Sequence, residues 1–229
     1  MTTVAIHQPH YLPWLPYLDK VEQADIFVYL DNVSYQKNGF QNRNYLKSKR
    51  GSIRLTVPVH ANLGMLIHDV CIADNHWRKK HVKMISQCYA DAPYINLFFS
   101  ELKPILDQEW HNLVELNIAV TEWMLRNINA SCQRLRASEI DASGFGENLL
   151  IEICRALGAT EYLSGQGAVD YQDPDHFEKR GIKLRYQSYR EVEYPQCYSQ
   201  LGFVKGLSAL DLILNAGPRS REILLEGRQ

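Results

Sequence analysis

Two histidines near the start of the chain, His7 and His10, have a spacing that suggests chemistry, in the segment HQPHYLP. Imidazole titrates close to neutral pH, so a pair of them can hydrogen-bond charged oxygens or move a proton. A histidine between a strand and a helix is also commonly a cap or a packed side chain. Two of them in so proline-rich a block favour a functional role, and we take both as candidate catalytic residues.

A carboxylate and a polar segment follow that could serve the same site. Asp31 ends the apolar run ADIFVYLD and could orient an imidazole or act as a base, with an Asx-type turn as the alternative. The stretch from Ser34 to Ser52 is rich in Asn, Gln, Lys and Arg, and we predict a loop too polar to enter a core. Arginine and lysine suit a diphosphate, and asparagine suits sugar hydroxyls. A solvated surface loop is the competing interpretation.

The candidate substrate-binding residues are spread over four segments. In the polar stretch they are Lys37, Asn42, Arg43, Asn44 and Lys47; in the histidine block they are Gln8, Tyr11 and Trp14. The segment LSGQGAVDY adds Ser164, Gly165 and Gln166, because successive glycines can present backbone N–H groups to an anion. Asp211 in LSALD is included, although its spacing from Ser208 is first that of a helix N-terminal cap.

Metal and thiol chemistry have weaker support. Histidines three residues apart could share an ion, but further ligands would have to come from Asp31, His68, His81 or Asp211. No H-E-x-x-H pattern or cysteine pair is present, so we predict no metal. Cys197 in YPQCYSQ lies in a polar-aromatic context but has no evident histidine partner for a covalent mechanism.

Composition limits the class of protein. The chain has 229 residues, 45% of them hydrophobic, so it can form one substantial core or two small ones. With 25 basic and 26 acidic residues, it has no charge excess favouring nucleic acid. We predict no membrane span and no signal peptide. Five dispersed cysteines without a C-x-x-C pair suit reduced thiols, and we predict a cytoplasmic protein. A homo-oligomer is compatible with this composition.

The elements around the histidines follow a βαβ pattern. Thr3–Ile6 is a short strand-like run, Tyr11–Gln23 has apolar residues at helical spacing with Lys20 at a polar position, and ADIFVYLDN is a second strand-like run. A right-handed crossover makes the two strands parallel, which places HQPH at the carboxyl end of the first strand. Open α/β sheets bind ligands at that edge.

The rest of the chain continues the alternation after a helical stretch. We predict strands in QRLRASEID, EYLSG and IKLRYQ and helices in GENLLIEICRALGA and PDHFEKRG. Earlier, IRLTVPV and MLIHDVCI are predicted to pair through a turn at HANLG, before helices in NHWRKKHVKMISQCYADAP, Tyr94–Leu106 and Trp110–Asn129. The prediction is one α/β domain over residues 1–229, a Rossmann-like, mostly parallel sheet with a helical insertion at about 76–130. Two domains divided near residue 130 are the alternative.

The segments HQPHYLPWLPYLDK and ADIFVYLDNVSYQKNGFQNRNYLK resemble the WbqC-like family of bacterial proteins. The resemblance continues through LTVPV, the helix around His81, YLSGQGAVDY, YPQCYSQ and LSALDLILNAG, so it covers nearly the whole chain. Members of this family are associated with O-antigen and other surface-polysaccharide gene clusters. The resemblance therefore implies a role in making or decorating an activated sugar.

The histidine pair also resembles the H-x-G-H motif of nucleotidylyltransferases, which follows the first strand of a Rossmann-like sheet. In that superfamily both histidines face the triphosphate and stabilise charge in the transition state. Pro9 departs from the motif, since it stands where glycine is usual. That glycine lets the nucleotide approach the backbone closely.

These features together predict an enzyme of surface-polysaccharide assembly that forms an amide, by N-acylation or aminoacylation, on a nucleotide-linked amino sugar. In one mechanism ATP activates the acyl donor as an acyl-adenylate. In the other, the acyl group arrives as a thioester on coenzyme A or a carrier protein, and a histidine deprotonates the amine. The alternative is a non-catalytic protein that binds a sugar nucleotide or a pathway enzyme.

Overall fold

The computed structural model describes all residues, from Met1 to Gln229. Its strands are β1 (Thr3–His7), β2 (Ile26–Tyr29), β3 (Arg43–Ser48), β4 (Gly51–Thr56), β5 (Val59–His60), β6 (Cys71–Ile72), β7 (Gln133–Arg136), β8 (Glu161–Ser164) and β9 (Lys183–Tyr186). Its helices are α1 (Leu15–Glu22), α2 (His76–Cys88), α3 (Ile95–Leu97), α4 (Lys103–Asp107), α5 (Leu113–Asn127), α6 (Glu147–Ala156), α7 (Pro174–Glu178), α8 (Leu210–Ala216) and α9 (Ser220–Glu226).

Five of these strands form one parallel sheet in the order β7-β2-β1-β8-β9. The chain moves outward from β1 through β2 to β7, then returns to the other side of β1 with β8 and β9. The direction of strand addition therefore reverses between β1 and β8, the position where doubly wound sheets bind ligands. The prediction of a Rossmann-like α/β fold is confirmed.

The central strands are apolar on both faces, as parallel sheets covered by helices require. In β1, Val4 and Ile6 pack into one hydrophobic cluster and Ala5 packs into the other. The larger cluster extends from Ala5 to Leu224 and includes residues before and after position 130. We therefore propose that the chain folds as one domain.

The helices predicted between residues 76 and 130 are present, with one interruption. Between α3 and α4, residues Phe98–Leu102 form a π-helical turn. Pro104 lies in the first turn of α4. Because proline has no N–H to donate to the preceding turn, the hydrogen-bond pattern shifts there.

The prediction that Ser34–Ser52 is a loop is wrong for Arg43–Ser48, which form β3. The predicted pairing of IRLTVPV with MLIHDVCI is confirmed only at its end, where Val59 pairs with Ile72. Strand β3 pairs antiparallel with β4, while β6 pairs only with the two-residue β5. Buried and less buried residues alternate along this stretch, so that Asn42, Asn44 and Leu46 face the core. The two asparagine amides are buried because backbone carbonyls satisfy them.

Candidate functional site

A cleft of about 1560 Å³ opens at the carboxyl edge of the sheet. His7, Gln8 and His10, which end and follow β1, line one side of it, and residues from Ser164 onward, which end and follow β8, line the other. The cleft therefore lies at the point where the strand order reverses. It exceeds the roughly 300–1000 Å³ typical of small-molecule sites, so it has room for a nucleotide and a second reactant.

Four side chains form the inner end of this cleft, which we call the cleft floor: His7, His10, Tyr17 and Lys20. The two imidazole ring centres lie 4.6 Å apart, and the Tyr17 ring centre lies 4.7 Å from that of His7 and 5.4 Å from that of His10. Tyr17 and Lys20 are three residues apart on α1, so they share one face of that helix. The Lys20 ammonium donates a hydrogen bond to the carbonyl oxygen of Ile6 at 2.8 Å.

Burial determines the protonation of the cleft floor. It is the main cause that lowers the pKa of His10 to about 3 and that of His7 well below its usual value, with the neighbouring Lys20 charge adding to both shifts. Burial also lowers the pKa of Lys20 to about 7. At neutral pH both imidazoles are therefore uncharged, while the amine of Lys20 is close to its midpoint.

Two polar atoms of the cleft floor are buried without a hydrogen-bond partner, His10 Nδ1 and Tyr17 Oη. His7 Nδ1 is different, because it lies 3.0 Å from the carbonyl oxygen of Gln8. Buried polar atoms in native proteins are nearly always paired. The cleft floor therefore retains hydrogen-bonding capacity that the protein itself does not use.

The histidine block is held in place by two buried asparagines. Leu12 has a φ of 46°, in the left-handed region that a branched side chain seldom adopts. Asn44 Nδ2 donates to the carbonyl oxygens of Leu12 at 2.6 Å and Tyr11 at 3.2 Å. Asn117 Nδ2 donates to the carbonyl oxygen of Pro9 at 3.2 Å. These bonds stabilise the bend that directs the imidazoles into the cleft.

The structure places Tyr11 and Asn44, two predicted substrate contacts, behind the cleft rather than in it. Tyr11 is fully buried and its hydroxyl lies 2.9 Å from Nδ1 of His81. The remaining predicted residues of the polar segment also lie outside the lining. Asn42 donates to the carbonyl of Val57, Lys47 to Gln196 and Gly202, Arg43 to Asn38, and Lys37 is exposed.

The same segment nevertheless reaches the cleft through five residues that the sequence did not single out: Ser34, Gln36, Gly39, Phe40 and Gln41. Gln41 is buried, and its amide donates to the side-chain oxygen of Gln8 at 2.8 Å. Of the polar residues chosen from this segment, Asn42, Asn44 and Lys47 are buried and bond within the protein rather than facing the cleft.

The two predicted carboxylates are engaged elsewhere. Asp31 accepts hydrogen bonds from the backbone N–H and the hydroxyl of Ser138, at 2.9 and 2.7 Å, and bonds to neither imidazole. Asp211 is buried and accepts from Tyr194 and Gln196, both at 2.8 Å. Burial raises the pKa of Asp211. The expectation that Asp31 lies beside the histidines is therefore corrected: its carboxylate fixes the turn after β7.

The opposite wall and the rim complete the cleft. Ser164, Gly165 and Gln166 line it, in the segment predicted for binding. At the rim, the Trp14 and Phe40 rings are nearly parallel, at 6° with their centres 6.0 Å apart, and the Phe40 ring centre lies 5.8 Å from that of His10. An aromatic surface therefore leads from the rim to the cleft floor.

Three cations of the cleft were missed by the sequence analysis: Lys20, Arg190 and Lys205. Arg190 and Lys205 are exposed on the rim. The spacing of Tyr17 and Lys20 on the helix that follows HQPH was a usable signal for Lys20. Arg190 and Lys205 lie in irregular segments near the end of the chain, where no periodic pattern connects them to the histidines.

The structure contains no group of three or more His, Cys, Asp or Glu side chains arranged to hold a metal ion. None of its helices has the length and apolar character needed to cross a membrane.

The fold and the cleft define an α/β protein of the doubly wound type with a cleft at the switch point of its sheet. The chain belongs to the WbqC-like protein family, whose model matches residues 8–223. It is similar to the uncharacterized protein Rv1507c of Mycobacterium tuberculosis, with 32% identity over 242 aligned positions that cover 100% of each chain. No solved structure shows significant similarity to it.

Proposed function

We propose that the chain is an enzyme of surface-polysaccharide assembly that forms an amide on a nucleotide-linked amino sugar, using the cleft at the end of β1 and β8. The observation that carries this proposal is the cleft floor, where two neutral imidazoles and a lysine with a pKa of about 7 face one cavity. Groups with such shifted pKa values cluster at catalytic sites.

The cleft lining suits the parts of a sugar nucleotide. The Trp14–Phe40 pair offers a flat apolar surface for a base or a sugar ring. Gln8, Gln41 and Gln166 offer amides for hydroxyl groups, and Arg190 and Lys205 offer positive charge for a diphosphate. A cleft with these components fits a polar ligand with two negatively charged groups better than an apolar one.

In the proposed reaction, the amine nitrogen of the sugar attacks the acyl carbon of an activated donor. The bond from that carbon to its leaving group, AMP or a thiolate, breaks and the leaving group keeps the electron pair. The amine loses one proton, which a neutral imidazole of His7 or His10 accepts. Binding of an anionic ligand beside these rings raises their pKa, because it offsets the charge of Lys20.

A non-catalytic role as a binding protein is separated from this proposal by substitution of the histidines. We expect His7→Ala and His10→Ala each to lower turnover by about 10²- to 10⁴-fold, the usual contribution of a positioned proton acceptor. The measurement is mass spectrometry of a purified nucleotide-linked amino sugar incubated with the protein and acyl donors, with and without ATP. A product that needs ATP supports the acyl-adenylate mechanism, and a product from a thioester alone supports the other.

The matched control is His111→Ala, since this histidine is exposed and lies outside the cleft lining. Thermal unfolding of each variant verifies that the fold is retained. Unchanged turnover in both cleft variants would exclude the catalytic role of the histidines. Absence of an acylated product with every donor would exclude the reaction itself.

A further inference from the structure

Three side chains of the cleft floor are buried and have hydrogen-bonding capacity that the protein does not use in full. Lys20, His10 and Tyr17 are 3%, 9% and 1% exposed. Tyr17 Oη and His10 Nδ1 have no partner, and the Lys20 ammonium has one acceptor, the carbonyl of Ile6, for its three N–H groups. Because native proteins pair nearly all buried polar groups, three such groups in one cavity indicate a ligand.

The electrostatics of the cleft floor indicate the charge of that ligand. No carboxylate forms an ion pair with Lys20, and burial alone accounts for its lowered pKa. The charge of Lys20 in turn contributes to the lowered pKa of His10. These groups have no negative charge as a partner. An anion in the cavity would bond to Lys20 and offset the effect of its charge on the pKa of the imidazoles.

The rest of the cleft favours a phosphate over a carboxylate. Two further cations, Arg190 and Lys205, lie on its rim, so three cations surround one cavity. The carboxylates that line the same cleft have other partners: Glu191 accepts from the backbone N–H of Gly206, and Glu147 from His176. The lining therefore holds three basic and two acidic side chains, and its basic groups include an ammonium on the cleft floor and a guanidinium on the rim. These donors suit the several oxygens of a phosphate better than the two of a carboxylate.

We propose that Lys20, His10 and Tyr17 form a phosphoryl-binding subsite on the cleft floor, which holds one phosphate of a nucleotide diphosphate or sugar phosphate. The inference rests on the proposed function, because it says which part of the sugar nucleotide the cleft floor holds. The phosphate contacts the ammonium and the hydroxyl, and His10 donates through the ring nitrogen that has no partner in the protein. With His10 bound to phosphate, His7 is the imidazole that accepts the amine's proton in the proposed reaction. The Trp14–Phe40 surface then lies where the base or sugar would extend toward the rim.

The test is calorimetric titration of the full-length protein with inorganic pyrophosphate, ADP, glucose 1-phosphate and sodium acetate at pH 7. We expect the phosphates to bind and acetate to bind at least tenfold more weakly, since it carries fewer acceptor oxygens and less charge. Lys20→Met keeps an unbranched side chain that is one atom shorter and removes the ammonium, so phosphate affinity should fall roughly 10- to 100-fold. Tyr17→Phe removes one hydroxyl and should weaken binding roughly three- to tenfold.

The matched control is Lys179→Met, an exposed lysine outside the cleft lining, which should leave phosphate affinity within about twofold. Equal affinity in the wild type and in folded Lys20→Met protein would overturn the subsite, as would tighter binding of acetate or no binding of any phosphate. Tighter binding of ADP than of glucose 1-phosphate identifies a nucleotide as the source of the phosphate. Tighter binding of glucose 1-phosphate than of ADP identifies a sugar phosphate. The titration needs no acyl donor, so it tests the subsite separately from the reaction. Phosphate binding that depends on Lys20, together with no acylated product, would exclude the proposed reaction and leave the subsite standing.

Discussion

Two lysines of this chain are almost completely buried, and their surroundings differ in a way that separates structure from function. Lys47 donates to the Gln196 side chain at 3.0 Å and to the Gly202 carbonyl at 2.7 Å. Burial raises the pKa of Asp211, and the nearby charge of Lys47 offsets part of that rise. Lys20 has one backbone acceptor, no carboxylate partner and a cleft in front of it. A satisfied buried charge contributes to the fold, whereas an unsatisfied one marks a place for a ligand.

The largest effect that distinguishes the two lysines is expected from Lys47→Met. Its removal takes a donor from the Gly202 carbonyl and leaves the Gln196 side-chain oxygen with the Val204 N–H alone. It also takes away the positive charge beside the buried Asp211, so the free energy of unfolding should fall by about 3 kcal/mol. Urea denaturation measures this loss, with the exposed Lys49→Met as the control. A loss as small as that of the control would show that the Lys47 contacts make no net contribution to stability. It would contradict the structural role assigned to Lys47.

Removal of the amide that holds the histidine block should have the next largest effect. Asn44→Ala deletes the hydrogen bonds to Tyr11 and Leu12 and leaves Leu12 in a strained conformation without support. We expect the free energy of unfolding to fall by about 2 kcal/mol and phosphate binding to weaken, because the imidazoles are no longer fixed. The exposed Asn148→Ala serves as the control. Full phosphate affinity in Asn44→Ala protein would show that Asn44 has no positioning role.

Lys20→Met should change stability in the opposite direction. The folded protein holds Lys20 at a pKa of about 7 against 10.5 for the free side chain, so at pH 7 and below the buried charge destabilises the fold. The free energy of unfolding of the variant should therefore be about 2 kcal/mol higher than that of the wild type at pH 7. This gain is smaller than the full pKa shift of Lys20 implies, because the variant also loses the hydrogen bond to the Ile6 carbonyl.

This gain should shrink as the pH rises from 7 toward 10.5. Over that range the unfolded wild type binds a proton at Lys20 that the folded wild type does not, so wild-type stability rises relative to the variant. His7, His10 and Tyr17 are the titratable side chains on the cleft floor, and both proteins retain them. Urea denaturation at pH 7 and pH 9.5 measures the difference. A variant less stable than the wild type at pH 7 would give Lys20 a structural role like that of Lys47.

The alternation of strands and helices made the fold predictable from the sequence. Apolar runs around HQPH and LSGQG defined parallel strands, and a right-handed crossover then placed both segments at one edge of the sheet. Strand β3 was not predictable in the same way. Asn42 and Asn44 occupy core positions because backbone carbonyls from other segments bind their amides, and a local pattern of polar residues does not contain that information.

The candidate site was predictable only near the histidines. His7, Gln8, His10 and Trp14 come from one short segment at a strand end, and all line the cleft. Lys47 looked equally suited to a phosphate, yet its partners lie about 150 residues away along the chain. The sequence shows that a lysine is present, whereas the tertiary structure decides whether its charge is satisfied.

The claim on which the account depends is that a ligand reaches the paired imidazoles. The most direct test is nitrogen NMR of ¹⁵N-histidine-labelled protein during titration with pyrophosphate. It observes the imidazole nitrogens of all eight histidines. The account predicts that the imidazole signals of His7 and His10 shift together, while His81, bonded to Tyr11 and to the backbone of Thr56, stays unchanged. Unchanged signals from His7 and His10 at saturating pyrophosphate would contradict it.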